Sequence, residues 1–139
     1  MFFHGTIHRT LDPKGRFMLP VEFRDVLAQW SPGGSCVLTT EDKCIIARSW
    51  SDWEIRKPKL EDWLDDDLSP EKRNKARIGL SGMERLQLDP QNRVRLSRAH
   101  MEYAGLKREV LLIGLMKRFE IWDVERFRQI QNQDFSGVG

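Results

Sequence analysis

Two short stretches hold the residue types best suited to binding chemistry. Leu11-Asp12-Pro13-Lys14-Gly15-Arg16-Phe17-Met18-Leu19-Pro20 comes early, and Leu88-Asp89-Pro90-Gln91-Asn92-Arg93-Val94-Arg95-Leu96-Ser97 repeats its grammar position for position. Each carries an Asp-x-x-x-Arg spacing, as Asp12/Arg16 and Asp89/Arg93. A carboxylate beside a guanidinium stays ionised, so these aspartates suit turn-capping and salt bridges better than proton transfer near neutral pH. The arginines are forks of N–H donors, able to grip a phosphate or the O6 and N7 of guanine. Together with Lys14 and Gln91 they make two candidate sites for phosphates and base edges.

The elements that must hold these side chains follow from the turn residues. Pro13 presets φ for the second position of a type I turn opened by Asp12, and Gly15 supplies the left-handed residue that closes it. Thr6–Leu11 and Arg16–Leu19 are therefore expected to form a hairpin with Lys14 and Arg16 at its tip. Pro20 suits the first turn of the helix that follows. In the second stretch Asn92 replaces Gly15, and asparagine is the non-glycine residue that best tolerates the left-handed region. Ser97 replaces Pro20 and is a good N-cap. Both replacements change the residue and keep the backbone role. Gly5 pairs with Gly82, Cys44-Ile45-Ile46-Ala47 answers Phe119-Glu120-Ile121-Trp122, and Trp53 roughly answers Phe127. The chain reads as a tandem duplication.

In order along the chain, the first hairpin is followed by helical spacing of Phe23, Val26, Leu27 and Trp30, stopped at Ser31-Pro32-Gly33-Gly34. Cys36–Thr39 and Cys44–Ala47 read as a second hairpin, and Ser49–Leu64 as a helix that Pro58 kinks or divides in two. Ser69-Pro70-Glu71 starts a basic helix ending near Gly79–Gly82. The second copy then runs through strands Glu84–Leu88 and Arg93–Leu96, helix Ser97–Ala104 capped by Gly105, strands Glu109–Ile113 and Phe119–Trp122, and a last helix to about Gln131. The fold class is α+β: two tandem β-β-α-β-β-α repeats at residues 1–66 and 83–133, a linking helix at 67–82, and a frayed tail at 134–139.

Composition narrows the function classes. A chain of 139 residues makes one domain or two half-domains sharing a core, and a half alone would be marginal. The net charge of +2 neither supports nor excludes a polyanionic partner, because what such a partner needs is a local basic patch. The start lacks the basic and apolar runs of a signal peptide, and no segment approaches a membrane span, so the chain is expected to be cytoplasmic. Cys36 and Cys44 flank a hairpin loop. A cross-strand disulfide is conceivable, but reduced, buried thiols fit that compartment better. His4 and His8 lie roughly 13 Å apart on a strand, too far to share an ion, and neither metal nor cofactor is expected. No nucleophile-base set, P-loop or dinucleotide fingerprint appears, so an enzyme is not expected. The run Lys72–Arg77 reads as a solvated helix face near the acidic run Glu61–Asp67. Trp50, Trp53 and Trp63 read as core or subunit interface.

Leu11-Asp12-x-Lys14-Gly15-Arg16-x-x-x-Pro20-x-x-x-Arg24 resembles the motif of the AbrB-like swapped-hairpin DNA-binding fold. Two such copies, with Ala104-Gly105-Leu106-x-x-Glu109-Val110-x-Leu112-x-Gly114 and Phe119-Glu120-Ile121-Trp122, resemble the MraZ family over nearly the whole chain. The resemblance implies a double swapped-hairpin AbrB-like pair in a ring-forming oligomer. It also implies a nucleoid-associated bacterial transcriptional regulator of the division and cell-wall gene cluster, binding short G-containing repeats in double-stranded promoter DNA. In related single-copy regulators, basic residues at positions matching Arg9, Arg16 and Arg24 contact DNA. The second copy has Leu86, Arg93 and Met101 there and adds Arg95. The first hairpin is therefore expected to be the stronger DNA contact, with the second contributing more to packing. Arg9 shares strand parity with Ile7 and Leu11, which points its side chain partly inward.

The expected mechanism is multivalent: one hairpin tip offers few phosphate contacts, and a ring on regularly spaced repeats gains avidity. The rival reading is a ring scaffold whose hairpins bind other proteins, and salt separates the two, because only phosphate binding releases counterions.

Overall fold

Turn chemistry decides the first element boundary. Asp12 and Gly15 close the predicted turn through the Gly15 amide on the Asp12 carbonyl (2.9 Å) and the Asp12 amide on the Arg16 carbonyl (2.9 Å). The structure, a computed structural model, describes the backbone of residues 1–138 and side chains as far as Gln133. Its elements run β1 (Phe3–Thr10), β2 (Arg16–Met18), α1 (Val21–Trp30), β3 (Cys36–Glu41), β4 (Cys44–Arg48), α2 (Trp50–Leu64) and α3 (Pro70–Ser81). The second half runs β5 (Glu84–Leu86), β6 (Arg93–Arg95), α4 (Arg98–Ala104), β7 (Glu109–Met116), β8 (Arg118–Asp123) and α5 (Val124–Val138). The frayed tail expected from 134 on lies outside the described side chains, although the backbone of α5 continues to Val138.

The expected hairpin between the first two strands is not formed. The turn is made, but β1 pairs along its whole length with β7, and β2 pairs with β6. In the same way β5 pairs with β3 of the first half. Length explains the choice. β2 has 3 residues, too few to cover the 8 of β1, whereas β7 also has 8. Every extra ladder step satisfies backbone groups that burial would otherwise leave unpaired. The result is a six-stranded antiparallel sheet in the order β1-β7-β8-β4-β3-β5 and a separate two-stranded ribbon, β2-β6. Exchanging the halves reverses the strand order onto itself, so a pseudo-two-fold axis passes between β8 and β4 and through the ribbon.

The ladders also correct the repeat alignment by one residue. Ser49 and Asp123 occupy the same place in the two copies, as N-terminal caps accepting from the amides of Asp52 and Arg126 (3.1 Å each). Counting back from them, Cys44 answers Arg118, not Phe119. A slip of one turns every strand residue to the other face. In the corrected register Ile45 and Ala47 match Phe119 and Ile121, all four buried in one core. The offset changes along the chain because α1 has 10 residues and α4 only 7.

That core lies between one face of the sheet and a layer of α1, α4 and the ribbon. Phe3, Phe23 and Phe119 meet there with ring centroids 5.0–5.1 Å apart. Such pairs add about 0.5–1.5 kcal/mol each beyond their buried area. The opposite face is covered by α2 and α3 over Val37, and by α5 over Ile46 and Ile113. Trp53 is buried there, with Trp50 and Trp63 packed around it. Pro58 does not divide α2, which is one helix from Trp50 to Leu64. Pro58 and Glu54 are both exposed, so the helix carries its proline on the solvent side, where the Glu54 carbonyl that proline cannot serve is not forced into the core. Ser69 caps α3 by accepting from the Lys72 amide. The cysteines are free and buried. Cys44 stands opposite Glu41, at the other end of β3 from Cys36, and the two thiols lie in different core clusters. Burial pushes the Cys36 thiol up to about 12.

Candidate nucleic-acid interface

Each tip is built by an aspartate that uses both carboxylate oxygens. Asp12 Oδ1 accepts from the amides of Lys14 and Arg16 (2.9 Å each), while Oδ2 accepts from Arg16 Nε at 2.6 Å. Asp89 repeats this with the amides of Gln91 and Arg93 (2.9 Å each) and with Arg93 Nε at 2.7 Å. These bonds hold both carboxyls below the usual aspartate value. For Asp12 the Arg16 amide is the largest cause. At Asp89 desolvation pulls upward, and the Arg93 amide, its guanidinium and the Gln91 amide outweigh it. Asn92, with φ of 60°, takes the left-handed position that Gly15 takes with φ of 77°. The aspartates therefore set the shape of the tip and orient the arginines.

The β2–β6 ladder joins the two tips into one surface. Arg16 stands opposite Arg95, Phe17 opposite Val94, and Met18 opposite Arg93. Strand alternation sends Phe17 and Val94 into the core and leaves Arg16, Met18, Arg93 and Arg95 on the other face. Gly15 is buried, because the Leu96 amide donates to its carbonyl. Lys14 and Gln91 are exposed at the tips. Arg16 and Arg93 are largely neutralised by their aspartates, and Arg93 also donates through Nη2 to Gln91 Oε1 at 2.7 Å. Among the described residues, Lys14 and Arg95 are the exposed cations of the predicted set that have no ion-pair partner.

The remaining predicted residues sit elsewhere. Arg9 is half-buried on β1, where Nε donates to the Met18 carbonyl (2.9 Å) and Nη1 to the His8 carbonyl (3.0 Å). It ties the end of the ribbon to the sheet. Arg24 lies on α1 and lines a cleft with Leu88, Asp89 and Asn92, so it stands beside the second turn, not the first. Its counterpart Met101 lies under the first turn, beside Asp12 and Pro13. The two halves thus serve each other's tips, an exchange that one-dimensional reading hides. Sequence reasoning also missed Lys107 and Arg108, which flank the same cleft as Asp12 and Pro13. The Arg108 carbonyl accepts from the Leu11 amide at 2.7 Å. The signal available was a basic pair in the loop before a strand, and only the β1–β7 pairing brings it near a tip.

Among the described residues, no helix is long and apolar enough to cross a membrane. Residues 80–137 match a protein family described as "MraZ protein, putative antitoxin-like". The chain is 46% identical over 140 residues to the Transcriptional regulator MraZ of Nitratidesulfovibrio vulgaris strain Hildenborough, covering 99% of this chain and 91% of that protein. It is 45% identical to the protein of the same name from Oleidesulfovibrio alaskensis, with the same coverage. With that of Pseudoalteromonas translucida it shares 32% over 95% of this chain and 86% of the relative. On this full-length similarity the chain belongs to the MraZ family of transcriptional regulators.

Proposed function

We propose that the chain is a sequence-specific DNA-binding regulator whose reading surface is the β2–β6 ribbon. The observation that carries this is the ladder that sets Arg16 against Arg95 and Met18 against Arg93 on one outward face. A two-stranded ribbon fits the major groove, and its arginine forks suit guanine edges. Lys14 and Gln91 flank that face, Arg24 lies beside the second tip, and Arg9 acts by fixing the ribbon's end. Both tips take part on equal terms, because neither strand of the ribbon exists without the other. The exchanged strand pairing fits an AbrB-like swapped-hairpin pair, with residues 1–66 and 83–133 as the repeats and 67–82 as their link.

One ribbon makes few phosphate contacts, so a single chain binds weakly. A ring of chains on evenly spaced promoter repeats makes later contacts effectively intramolecular. This is the reading we adopt for control of a division and cell-wall gene cluster at the nucleoid. The test is a titration of promoter duplexes carrying one or several repeats, at two salt concentrations. Tighter binding per chain to the multi-repeat duplex, with affinity falling steeply as salt rises, supports the proposal. Equal affinity per chain overturns multivalency, and salt-independent binding overturns phosphate recognition.

A further inference from the structure

The two ends of the ribbon's outward face differ in chemistry. The pseudo-two-fold sets Arg16 on Arg93 and Met18 on Arg95, so the copies agree at one outward place and differ at the other. The ladder groups these residues by end: Arg16 and Arg95 face each other next to Lys14, and Arg93 and Met18 face each other next to Gln91. At the first end Lys14 and Arg95 are exposed cations with no ion-pair partner among the described residues. At the second, Arg93 is held by Asp89 Oδ2 and Gln91 Oε1 (2.7 Å each), and Arg24 stands in the cleft with Asp89 and Asn92. Met18 is 50% exposed, an apolar side chain on a face otherwise made of arginines.

The backbone of Met18 is fixed on its C-terminal side by two bonds. Arg9 Nε donates to the Met18 carbonyl (2.9 Å), and the Leu19 amide donates to the Asn92 carbonyl (3.1 Å). The second copy has Leu86 at the place of Arg9, and leucine has no donor to offer Arg95. The half that carries the methionine is thus the half that pins it. A side chain presented from a fixed backbone loses less freedom on contact.

In the major groove the edges of guanine, adenine and cytosine offer hydrogen-bond donors and acceptors, and thymine adds a C5 methyl. Methionine has no donor and only a weakly accepting sulfur. Pressed against guanine O6 or N7, it would strip water from two acceptors and return nothing, which is costly for buried polar groups. Against a thymine methyl it buries apolar surface on both partners.

We propose that Met18 reads the C5 methyl of a thymine, at the place where the other half of the ribbon sets Arg95. The face then favours a T·A pair at one end and, through the Arg95 fork, a G·C pair at the other. A ribbon with pseudo-two-fold symmetry thereby reads its site in one orientation only. The inference rests on the ribbon being the reading surface and adds which base feature one of its residues selects.

The experiment uses the full chain and a multi-repeat promoter duplex, made once with thymine and once with deoxyuridine, which lacks only the methyl. Competition titrations compare the native chain with Met18→Gln, which keeps the length and loses the apolar end, and Met18→Leu, which stays apolar. Met18 is half exposed, so both variants should keep the native melt. The expected result is that the native chain and Met18→Leu bind the deoxyuridine duplex roughly fourfold more weakly for each chain engaged. Met18→Gln should bind both duplexes alike. A native chain indifferent to the methyl overturns the inference and leaves DNA binding intact. An equal penalty for the native chain and a folded Met18→Gln also overturns it, because the methyl is then felt elsewhere. If Met18→Gln melts early, the native chain and Met18→Leu decide: a penalty in both supports the contact, and its absence in either overturns it. No salt-dependent binding of the native chain to either duplex overturns the reading surface itself.

Discussion

The Leu96 amide donates to the Gly15 carbonyl over 2.9 Å, joining the turn of one half to the end of the ribbon strand of the other. The pseudo-symmetric bond runs from the Leu19 amide to the Asn92 carbonyl at 3.1 Å. Both acceptors belong to the left-handed residues of the two turns. The conformation that aims each Asp–Arg tip is therefore also the one that clasps the halves together, and tip geometry cannot be altered at these positions without loosening the fold.

A side chain at Gly15 should be costly for two reasons. With φ of 77°, a Cβ there would lie 3.0 Å from the Leu96 oxygen and 3.1 Å from Met101 Sδ. The backbone strain alone is about 1–2 kcal/mol, and the contact adds to it. Gly15→Ala should lower unfolding free energy by roughly 2 kcal/mol or more in urea titrations. Asn92→Gly should stay within about 0.5 kcal/mol of native, since glycine accepts that φ freely. Equal losses at the two sites would show that the left-handed turn is not what sets the cost.

The two turn aspartates make a pH prediction of definite sign. Their folded pKa values lie below the ordinary 3.8. A depressed carboxylate contributes stability that is complete above the unfolded value and is lost as pH falls through the folded one. Thermal stability should therefore hold from neutral pH down to about pH 4 and then drop towards pH 2. The Asp12→Asn, Asp89→Asn double variant should be less stable at neutral pH and show a shallower acid drop. An unchanged acid limb would mean that other carboxylates carry the transition.

Local chemistry made much of this architecture legible, and long-range choice hid the rest. Asn92 announced a left-handed turn, Ser69 and Ser97 announced helix caps, and each did so through bonds spanning four residues or fewer. The partner of β1 could not be read that way. A turn at Asp12–Gly15 argues for a local hairpin, and only the 8-residue length of β7 outbids it. The same limit governs the site. Asp12 and Arg16 are four residues apart and their pairing was visible, whereas Arg16 beside Arg95, and Arg24 beside Asn92, depend on an exchange between halves.

Arg48 offers a test of buried charge. It is 2% exposed, with Nε on Asp52 Oδ2 at 3.1 Å and Nη1 on Thr39 Oγ1 at 3.1 Å. Desolvation, the largest cause, lowers its pKa, and Arg118 stands directly across the ladder. Removing Asp52 strands that charge, and Asp52→Ala should cost about 3–5 kcal/mol. Arg48→Met keeps the bulk and removes the charge, and replacements of that kind are often near neutral, within about 1 kcal/mol. Urea titrations of both variants decide the matter, and a larger loss for Arg48→Met would mean the pair is net stabilising.

The ribbon arginines should separate binding from folding. Arg95 is exposed, with no ion-pair partner among the described residues, while Arg16 is bound to Asp12 through Nε at 2.6 Å. Arg95→Ala should leave the melt unchanged. It should weaken promoter binding by roughly 1–3 kcal/mol if it reads a base, or reduce the salt slope by about 1 if it holds a phosphate. Arg16→Lys keeps a charge but loses the Nε bond, so it should lower both the melt and the affinity. Arg16→Ala should lower affinity further, because the fork itself is gone. Competition titrations over several salt concentrations, with melts on the same samples, check all three. If Arg95→Ala binds promoter DNA as the native chain does, at every salt concentration, the outward face of the ribbon is not the reading surface.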